Sequence, residues 1–184
     1  MIVTVIGTTY ESIEDSIVLV PSTADPDPRM VFKVEKTQFE QDQSFSFGAH
    51  VLPGNNDDIV HFKLYIDYGY AKNPDDRLPY WGPTALGLPA LDPSTSTDAG
   101  PAAVEARWVP KNYSSGAGCH NVTLMASHDF DEFTGCPICM NDSSQITWQV
   151  FLCDQDPCVT DFSKCQDWTR SCRDKNATQC GASP

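Results

Sequence analysis

The chain has 184 residues, of which 40% are hydrophobic, and this suits one folded domain with a small appendage. The 25 acidic residues outnumber the 12 basic ones, and the formal net charge of −13 would repel nucleic acids and anionic membrane surfaces. We therefore expect no nucleic-acid partner. No stretch approaches the ~20 consecutive apolar residues that a membrane-spanning helix needs, so we also expect no membrane span in this chain.

Short runs of β-branched and aromatic residues alternate with turn residues through the first part of the chain. They predict strands at residues 2–6, 17–20, 30–36, 44–52 and 59–68. In the strand at 44–52, Phe45 and Phe47 alternate with other residues and share one face. The last strand is the clearest, because Val60, Phe62, Leu64 and Ile66 recur at every second position and share one face. Residues 53–58 are rich in Gly, Asn and Asp, and they predict a hairpin between the last two strands.

Residues 69–102 differ from the rest because Pro, Gly, Ser, Thr and Asp are frequent there. A loop of this length in a compact domain is often functional or mobile. It carries Tyr70, Tyr80 and Trp81, whose rings could stack on the apolar faces of sugars. The alternative is that these rings only anchor the loop to the domain.

Strand patterns return at residues 103–109, 119–128 and 145–152. Seven or eight strands separated by turns predict an all-β fold, an antiparallel β-sandwich that spans residues 1–152. The tail at residues 153–184 is short of core-forming residues and holds five cysteines, so we expect a disulfide-rich C-terminal appendage.

The eight cysteines all lie after residue 118. An even number in one dense region is typical of a disulfide framework in an exported protein, which places the chain outside the cell or on its surface. Two alternatives remain open, a zinc ribbon built on the Cys-x-x-Cys at residues 136–139 and a redox motif at the same position. The cysteines are Cys119, Cys136, Cys139, Cys153, Cys158, Cys165, Cys172 and Cys180.

Four Asn-x-Ser/Thr sequons point to the same compartment, because this tripeptide is the acceptor for N-linked glycans in secreted proteins. The acceptor candidates are Asn112, Asn121, Asn141 and Asn176. The sequence therefore predicts a secreted or cell-surface glycoprotein.

The segments at residues 119–131 and 146–150, with their Ser-His-Asp-Phe-Asp and Ile-Thr-Trp-Gln-Val patterns, resemble the closing strands of immunoglobulin-like domains on bacterial envelope lipoproteins. The segment at residues 62–68 is similar to the middle strand of the same domains. The resemblance covers about half of the chain and implies an immunoglobulin-like sandwich that acts as an adhesive or scaffolding module, without catalytic residues. The Cys…Trp…Cys spacing of antibody domains is absent, since Trp148 lies just before Cys153.

Candidate catalytic residues are sparse. Ser127, His128 and Asp129 are consecutive, but neighbouring residues of a strand point to opposite faces and cannot form a relay. Acidic runs at residues 55–58 and 129–132 could bind Ca²⁺ through loop oxygens, although Asx turns explain them without a metal. We therefore expect no cofactor, with Ca²⁺ as the alternative.

Together these patterns predict a non-enzymatic, disulfide-stabilised structural or adhesive subunit of a cell-surface assembly. Its partners would be other protein subunits or further copies of itself, which could add strands to exposed sheet edges. The alternative is a carbohydrate-binding module that uses the aromatic loop and takes glycans as its ligands.

Overall fold

The computed structural model of the protein describes residues 16–54, 59–67, 90–92, 101–110, 117–131, 135–139, 142–155 and 158. Seven strands and one helix of five residues lie in these ranges, and no helix there is long and apolar enough to cross a membrane. This confirms the prediction of an all-β protein. The elements in chain order are β1 (Val18–Asp25), β2 (Phe32–Val34), α1 (Lys36–Glu40), β3 (Phe45–Leu52), β4 (His61–Ile66), β5 (Ala102–Trp108), β6 (Gly118–Ser127) and β7 (Ser143–Leu152).

The strands form two sheets. One sheet has the order β1-β3-β5 and is antiparallel throughout, and the other has the order β2-β7-β6-β4. In the second sheet β2 runs parallel to β7, while the remaining pairs are antiparallel. The expected purely antiparallel arrangement is therefore wrong at β2. The chain crosses from one sheet to the other between β1 and β2, and β2 then lies beside β7 and runs in the same direction.

The predicted hairpin between β3 and β4 is also wrong. β3 pairs with β1 and β5, whereas β4 pairs with β6 in the other sheet. The turn residues at positions 53–58 indicate that the chain changes direction, but their chemistry is the same whether the next strand joins its own sheet or the facing one. Which sheet β4 joins depends on burial, because β3 and β4 place their apolar faces in the same core from the two facing sheets.

The apolar faces of the two sheets meet in one hydrophobic core. The predicted alternation of β3 is confirmed, since Phe45, Phe47, Ala49 and Val51 are all buried. Phe47 contacts Trp148 of the facing sheet with ring centroids 5.3 Å apart and ring planes tilted by 56°, a separation typical of packed aromatic pairs. The indole N–H of Trp148 donates to the carbonyl of Pro26 at 2.5 Å, so the ring is buried without leaving its polar atom unpaired.

A second, smaller core covers the outer face of the four-stranded sheet. Tyr65 of β4 and Met125 of β6 point away from the main core and pack against Phe130 and Cys136 from the segment after β6. The hydroxyl of Tyr65 donates to the carbonyl of Gly135 at 2.6 Å. This segment therefore folds back over the sheet, and both faces of β6 are covered.

Part of the predicted organisation lies outside the described residues. This applies to the strand at residues 2–6, to most of the loop at 69–102 and to nearly all of the cysteine-rich tail. Of that loop, Leu91 pairs with Val60 through backbone hydrogen bonds of 2.8 and 2.9 Å. The immunoglobulin-like character of the fold and the disulfide-rich appendage stay predictions.

Candidate functional site

A carboxylate fastens the first end of β6 to the end of β4. Asp67 follows β4 with a φ of 54°, and its Oδ2 lies 2.7 Å from Nδ1 of His120. Its Oδ1 accepts the backbone N–H of Asn121 at 3.0 Å, and its own N–H donates to the Asn121 carbonyl at 2.7 Å. The His120 side chain is 11% exposed. Because Asp67 bonds to the backbone of Asn121 in both directions, Asp67 continues the β4–β6 ladder beyond the last residue of β4.

A second carboxylate fastens the other end of β6 to the start of β7. Nδ1 of His128 lies 2.5 Å from Oδ2 of Asp142. An ionised carboxylate can only accept, so Nδ1 carries the proton in this bond. Nε2 of the same ring is buried and has no hydrogen-bond partner among the described residues. The geometry is that of a clamp on the β6–β7 connection.

The hydroxyl of Ser127 is engaged within its own loop. Its Oγ donates to the backbone carbonyl of Asp129 at 2.8 Å, and the carboxylate beside His128 belongs to Asp142. Ser127, His128 and Asp129 therefore do not form a relay, as the alternation of the strand predicts. The side-chain Oδ1 of Asp129 accepts the backbone N–H of Phe130 at 2.8 Å.

The cysteines in the described ranges support the disulfide interpretation. Cys153 and Cys158 form a disulfide with their Cα atoms 5.4 Å apart, and Cys119 and Cys136 are also disulfide-bonded. Zinc requires thiolates, so a ribbon that uses Cys136, Cys153 and Cys158 conflicts with this arrangement. Cys139 is the fourth residue of that pattern and lies in the segment that covers the outer face of the sheet. Cys165, Cys172 and Cys180 lie outside the described residues.

One group of potential metal ligands occurs in the described part of the chain. It consists of Glu35, Cys153 and Cys158, whose ligand atoms lie within 4.8 Å of one another. Both sulfurs belong to the disulfide, so they cannot act as thiolate ligands in this state. Asp129 and Asp131 of the candidate Ca²⁺ run are not part of this group, and the other run, at 55–58, falls outside the described ranges.

Among the predicted glycosylation sites, only Asn121 lies in a described range. It is in the middle of the four-stranded sheet and is half-buried, and the Thr123 hydroxyl of its sequon lies 3.0 Å from that of Thr147. Asn112, Asn141 and Asn176 lie outside the described residues, as do the ligand candidates Tyr70, Tyr80 and Trp81. The contacts of the described residues therefore do not test the prediction that the aromatic loop binds sugars.

The two edges of the three-stranded sheet differ. The β1 edge is irregular, because the register shifts between Val20 and Asp25, where the hydroxyl of Thr23 accepts the N–H of His50 and donates to the Val20 carbonyl, both at 2.8 Å. The N–H of Leu19 donates to the Ser144 hydroxyl of the other sheet at 3.0 Å. This edge is therefore bent and partly covered, in the way that natural edge strands avoid further pairing.

The β5 edge is regular. β5 pairs with β3 without a register shift over seven residues, and within the described ranges no strand pairs with its other side. Its inward residues Val104, Ala106 and Trp108 are buried, and its outward residues include Glu105 and Arg107. The hydroxyl of Ser46 donates to Glu105 at 2.7 Å, and this bond, with a smaller contribution from Arg107, lowers the pKa of the Glu105 carboxyl. This open edge is the strongest candidate for a binding site in the described residues.

Sequence reasoning misses both histidine partners and does not single out the β5 edge. The alternation of β4 places Asp67 only on the polar face of a strand, and Asp142 is only the middle residue of the sequon at Asn141. The pairing of His120 and His128 depends on which strands are neighbours, and no local pattern carries that information. The Glu-Ala-Arg spacing at residues 105–107, between prolines at 101 and 110, is a visible signal for a short strand with opposite charges on one face.

Comparison with known proteins finds no match, either among family models, among curated proteins or among solved structures.

Proposed function

We propose that this chain is a non-enzymatic extracellular module with an immunoglobulin-like β-sandwich fold, which serves as a structural or adhesive subunit of a cell-surface assembly. The observation that carries the proposal is the regular β5 edge, which no described strand pairs with, at the opposite side of the three-stranded sheet from a β1 edge that is bent and partly covered. Strand addition to an unpaired sheet edge is a general way for β-proteins to bind another chain, and among the described edges β5 is the most regular one.

The strand order supports the immunoglobulin-like assignment. In constant-type domains of this kind strands A, B, E and D share one sheet, while C, F and G share the other, and D has no counterpart among the described strands. The order β1-β3-β5 corresponds to A-B-E, and the order β4-β6-β7 corresponds to C-F-G, with β2 added beside the last strand. The central tryptophan differs from that of antibody domains, because Trp148 lies on β7 and not on the third strand.

The polar side chains support a non-catalytic role. His120 and His128 each bind a carboxylate that fastens two strands, and the Ser127 hydroxyl binds backbone atoms. A catalytic nucleophile and its base need to lie within hydrogen-bonding reach of each other, and in the described residues these groups are turned to structural partners instead.

The disulfide between Cys153 and Cys158 supports the extracellular placement, because such bonds persist in oxidising compartments. The sequons at Asn112, Asn121, Asn141 and Asn176 add to this, since N-linked glycosylation belongs to the same route.

The test measures association in two settings. We expect the purified chain, studied by sedimentation velocity from about 1 to about 500 µM, to self-associate or to bind intact cells of its source organism with saturation, since subunit interfaces span weak to tight binding. A chain that stays monomeric over this range and does not bind those cells would contradict the proposal. A glycan array run on the same preparation addresses the carbohydrate-binding alternative.

A further inference from the structure

We infer that the β5 edge pairs with β5 of a second copy of this chain, antiparallel about a two-fold axis at Ala106, and joins the two three-stranded sheets into one of six strands. The inference rests on the proposed function and names the partner of the same edge. It starts from the described edge, which is seven residues long, has no register shift and pairs with β3 on one side only.

The charges on β5 select the register. Side chains that lie opposite each other in an antiparallel pair point to the same face of the sheet. When β5 pairs with β5, an odd-numbered residue therefore always lies opposite an odd-numbered one, and an even-numbered residue opposite an even-numbered one. An axis at Ala106 places Glu105 opposite Arg107 of the second copy, and the same contact is made twice. An axis at Glu105 or at Arg107 would instead place that residue opposite its own copy, which is destabilising. Of these three registers, only the one at Ala106 pairs unlike charges.

The Arg107 side chain is available for this pairing, and the Glu105 carboxylate has acceptor sites left besides the one that binds the Ser46 hydroxyl. Glu105 and Arg107 are 57% and 74% exposed, and the contact between them along β5 is long, with Nε of Arg107 3.4 Å from Oε1 of Glu105. An exposed pair of this kind contributes little by itself, so the guanidinium can turn to a carboxylate of the neighbouring copy without a large loss. A guanidinium can also bind a carboxylate through two parallel hydrogen bonds, which the present contact does not do.

The other described edges are less suited to a second copy. β1 carries the irregularity at Thr23 and the bond from Leu19 to Ser144. In the four-stranded sheet, the β4 side is extended by the bridge between Val60 and Leu91, and β2 has only three residues.

Prolines set the length of the paired segment. Pro101 and Pro110 flank β5, and proline cannot donate a hydrogen bond to a ladder. The pairing between copies is therefore limited to β5 itself.

The experiment reverses one charge at a time and then mixes the variants. Sedimentation equilibrium of the full chain should show a monomer–dimer equilibrium. Glu105→Arg and Arg107→Glu should each weaken dimerisation about tenfold or more, since each turns two attractive contacts into two repulsive ones. An equimolar mixture of the two variants should form a heterodimer, because one copy then presents two arginines and the other presents two glutamates at the facing positions.

The mixture separates this pairing from any effect inside one chain, since a damaged monomer is not repaired by a different damaged monomer. Far-ultraviolet circular dichroism and thermal unfolding confirm that each variant is folded. Arg29→Glu is the matched control, because Arg29 is an exposed arginine in the turn before β2, and it should leave the dimer unchanged.

Three outcomes would overturn the inference: a wild-type chain that is monomeric at the highest concentration, a dimer that both reversals leave intact, or a mixture that stays monomeric. A wild-type chain that is monomeric but binds intact cells with saturation would overturn only the β5 pairing and leave the proposed function standing. The same holds for a dimer that both reversals leave intact. A monomeric chain that binds no cells would contradict both.

Discussion

Two histidine–carboxylate pairs hold the two ends of β6, and they illustrate how much of this fold depends on single side chains. Asp67 uses both of its oxygens and its backbone N–H to extend the ladder between β4 and β6. Asp142 has the simpler role of holding the ring of His128 at the start of β7. Nε2 of that ring is already buried without a partner in the described part of the chain. Loss of the bond between Nδ1 and Asp142 would therefore leave a second buried nitrogen unpaired and destabilise the fold.

Asp142→Ala should therefore destabilise the protein by about 1–3 kcal/mol, the range for a hydrogen bond to a charged group whose loss leaves a buried polar atom unpaired. Urea unfolding followed by tryptophan fluorescence measures the change. Asp129→Ala is the control, because Asp129 is exposed and its carboxylate accepts the N–H of the adjacent Phe130, and this substitution should destabilise the protein less. Equal effects of the two substitutions would mean that the His128–Asp142 pair has no special role.

The turn before β2 contains an ion pair with a measurable titration. The bidentate hydrogen bonds from the Arg29 guanidinium lower the pKa of Asp27 from 3.8 to about 2. A carboxyl whose pKa is lowered by folding stabilises the protein above its unfolded pKa, and this contribution is lost as the pH falls from about 4 to about 2.

Arg29→Ala should raise the pKa of Asp27 back towards 3.8, as measured by a carbon-13 NMR titration of the carboxyl group. Arg29→Lys should give an intermediate pKa, because it keeps the charge but not the planar fork. A pKa that stays at its lowered value in the alanine variant would show that the arginine is not the cause.

At the scale of the elements, β3 and β5 approach each other closely at one point. A Cβ atom added to Gly48 would lie 2.9 Å from the carbonyl oxygen of Val104, which is backbone and cannot move aside easily. The same glycine is opposite Asp25, where β1 resumes pairing after its irregularity. The sequence Phe-Gly-Ala at residues 47–49 therefore has its glycine where a side chain would push the strands apart.

Gly48→Ala should destabilise the protein by about 1–3 kcal/mol, as overpacking in a close contact generally does. Urea unfolding is again the measurement, and His50→Ala is the control because His50 is exposed on the same strand. A neutral or stabilising effect of Gly48→Ala would show that β5 can shift to admit the methyl group.

The elements can be predicted from sequence where alternation is strong. All seven described strands overlap with runs that the sequence marks, and Phe45 and Phe47 face the core as expected. The helix α1 escapes prediction because five residues are too few to show a helical period, and the interaction between Glu35 and Gln38 at its start is visible only in three dimensions. Tyr65 is buried on the face that carries polar neighbours, since its hydroxyl binds the segment that covers this face.

The candidate site is harder to predict than the strands. The alternation of β5 marks Glu105 and Arg107 as outward residues, and this part is readable from the sequence. Whether the strand lies at an edge depends on the order of all the strands in the sheet, and the sequence does not contain that order in local form. The partners of His120 and His128 are hidden for the same reason.

At the scale of the whole molecule, the main core and the cysteines are separate. The main core takes residues from all seven strands, and no cysteine is among its described members, whereas Cys136 belongs to the smaller core on the outer face. Cys153 follows β7 directly, so its disulfide closes a short loop at the end of the last strand.

Reduction should therefore loosen the segment after β6 and the loop after β7 first, and leave the strands of the main core folded, including β6, which carries Cys119. Loss of the Cys153–Cys158 bond in a double Cys→Ser variant should cost about 2 kcal/mol, by the loop-entropy relation for so short a loop. Hydrogen exchange with and without a dithiol locates the change, with the oxidised wild-type chain as the reference. Loss of protection in β3 and β7 at the same time as the outer segment would contradict the expectation.

The long-range bonds that close the core also have a consequence for how the chain folds. The Leu19–Ser144 and Trp148–Pro26 hydrogen bonds join residues 125 and 122 positions apart, and β2 finds its parallel partner only in β7 among the described strands. Chains dominated by such distant contacts fold slowly, on a timescale of about milliseconds to seconds, because the loop must close before the contacts form. A growing chain therefore holds β1 to β6 with an incomplete core until β7 has emerged, and its apolar strands are exposed to aggregation throughout that interval.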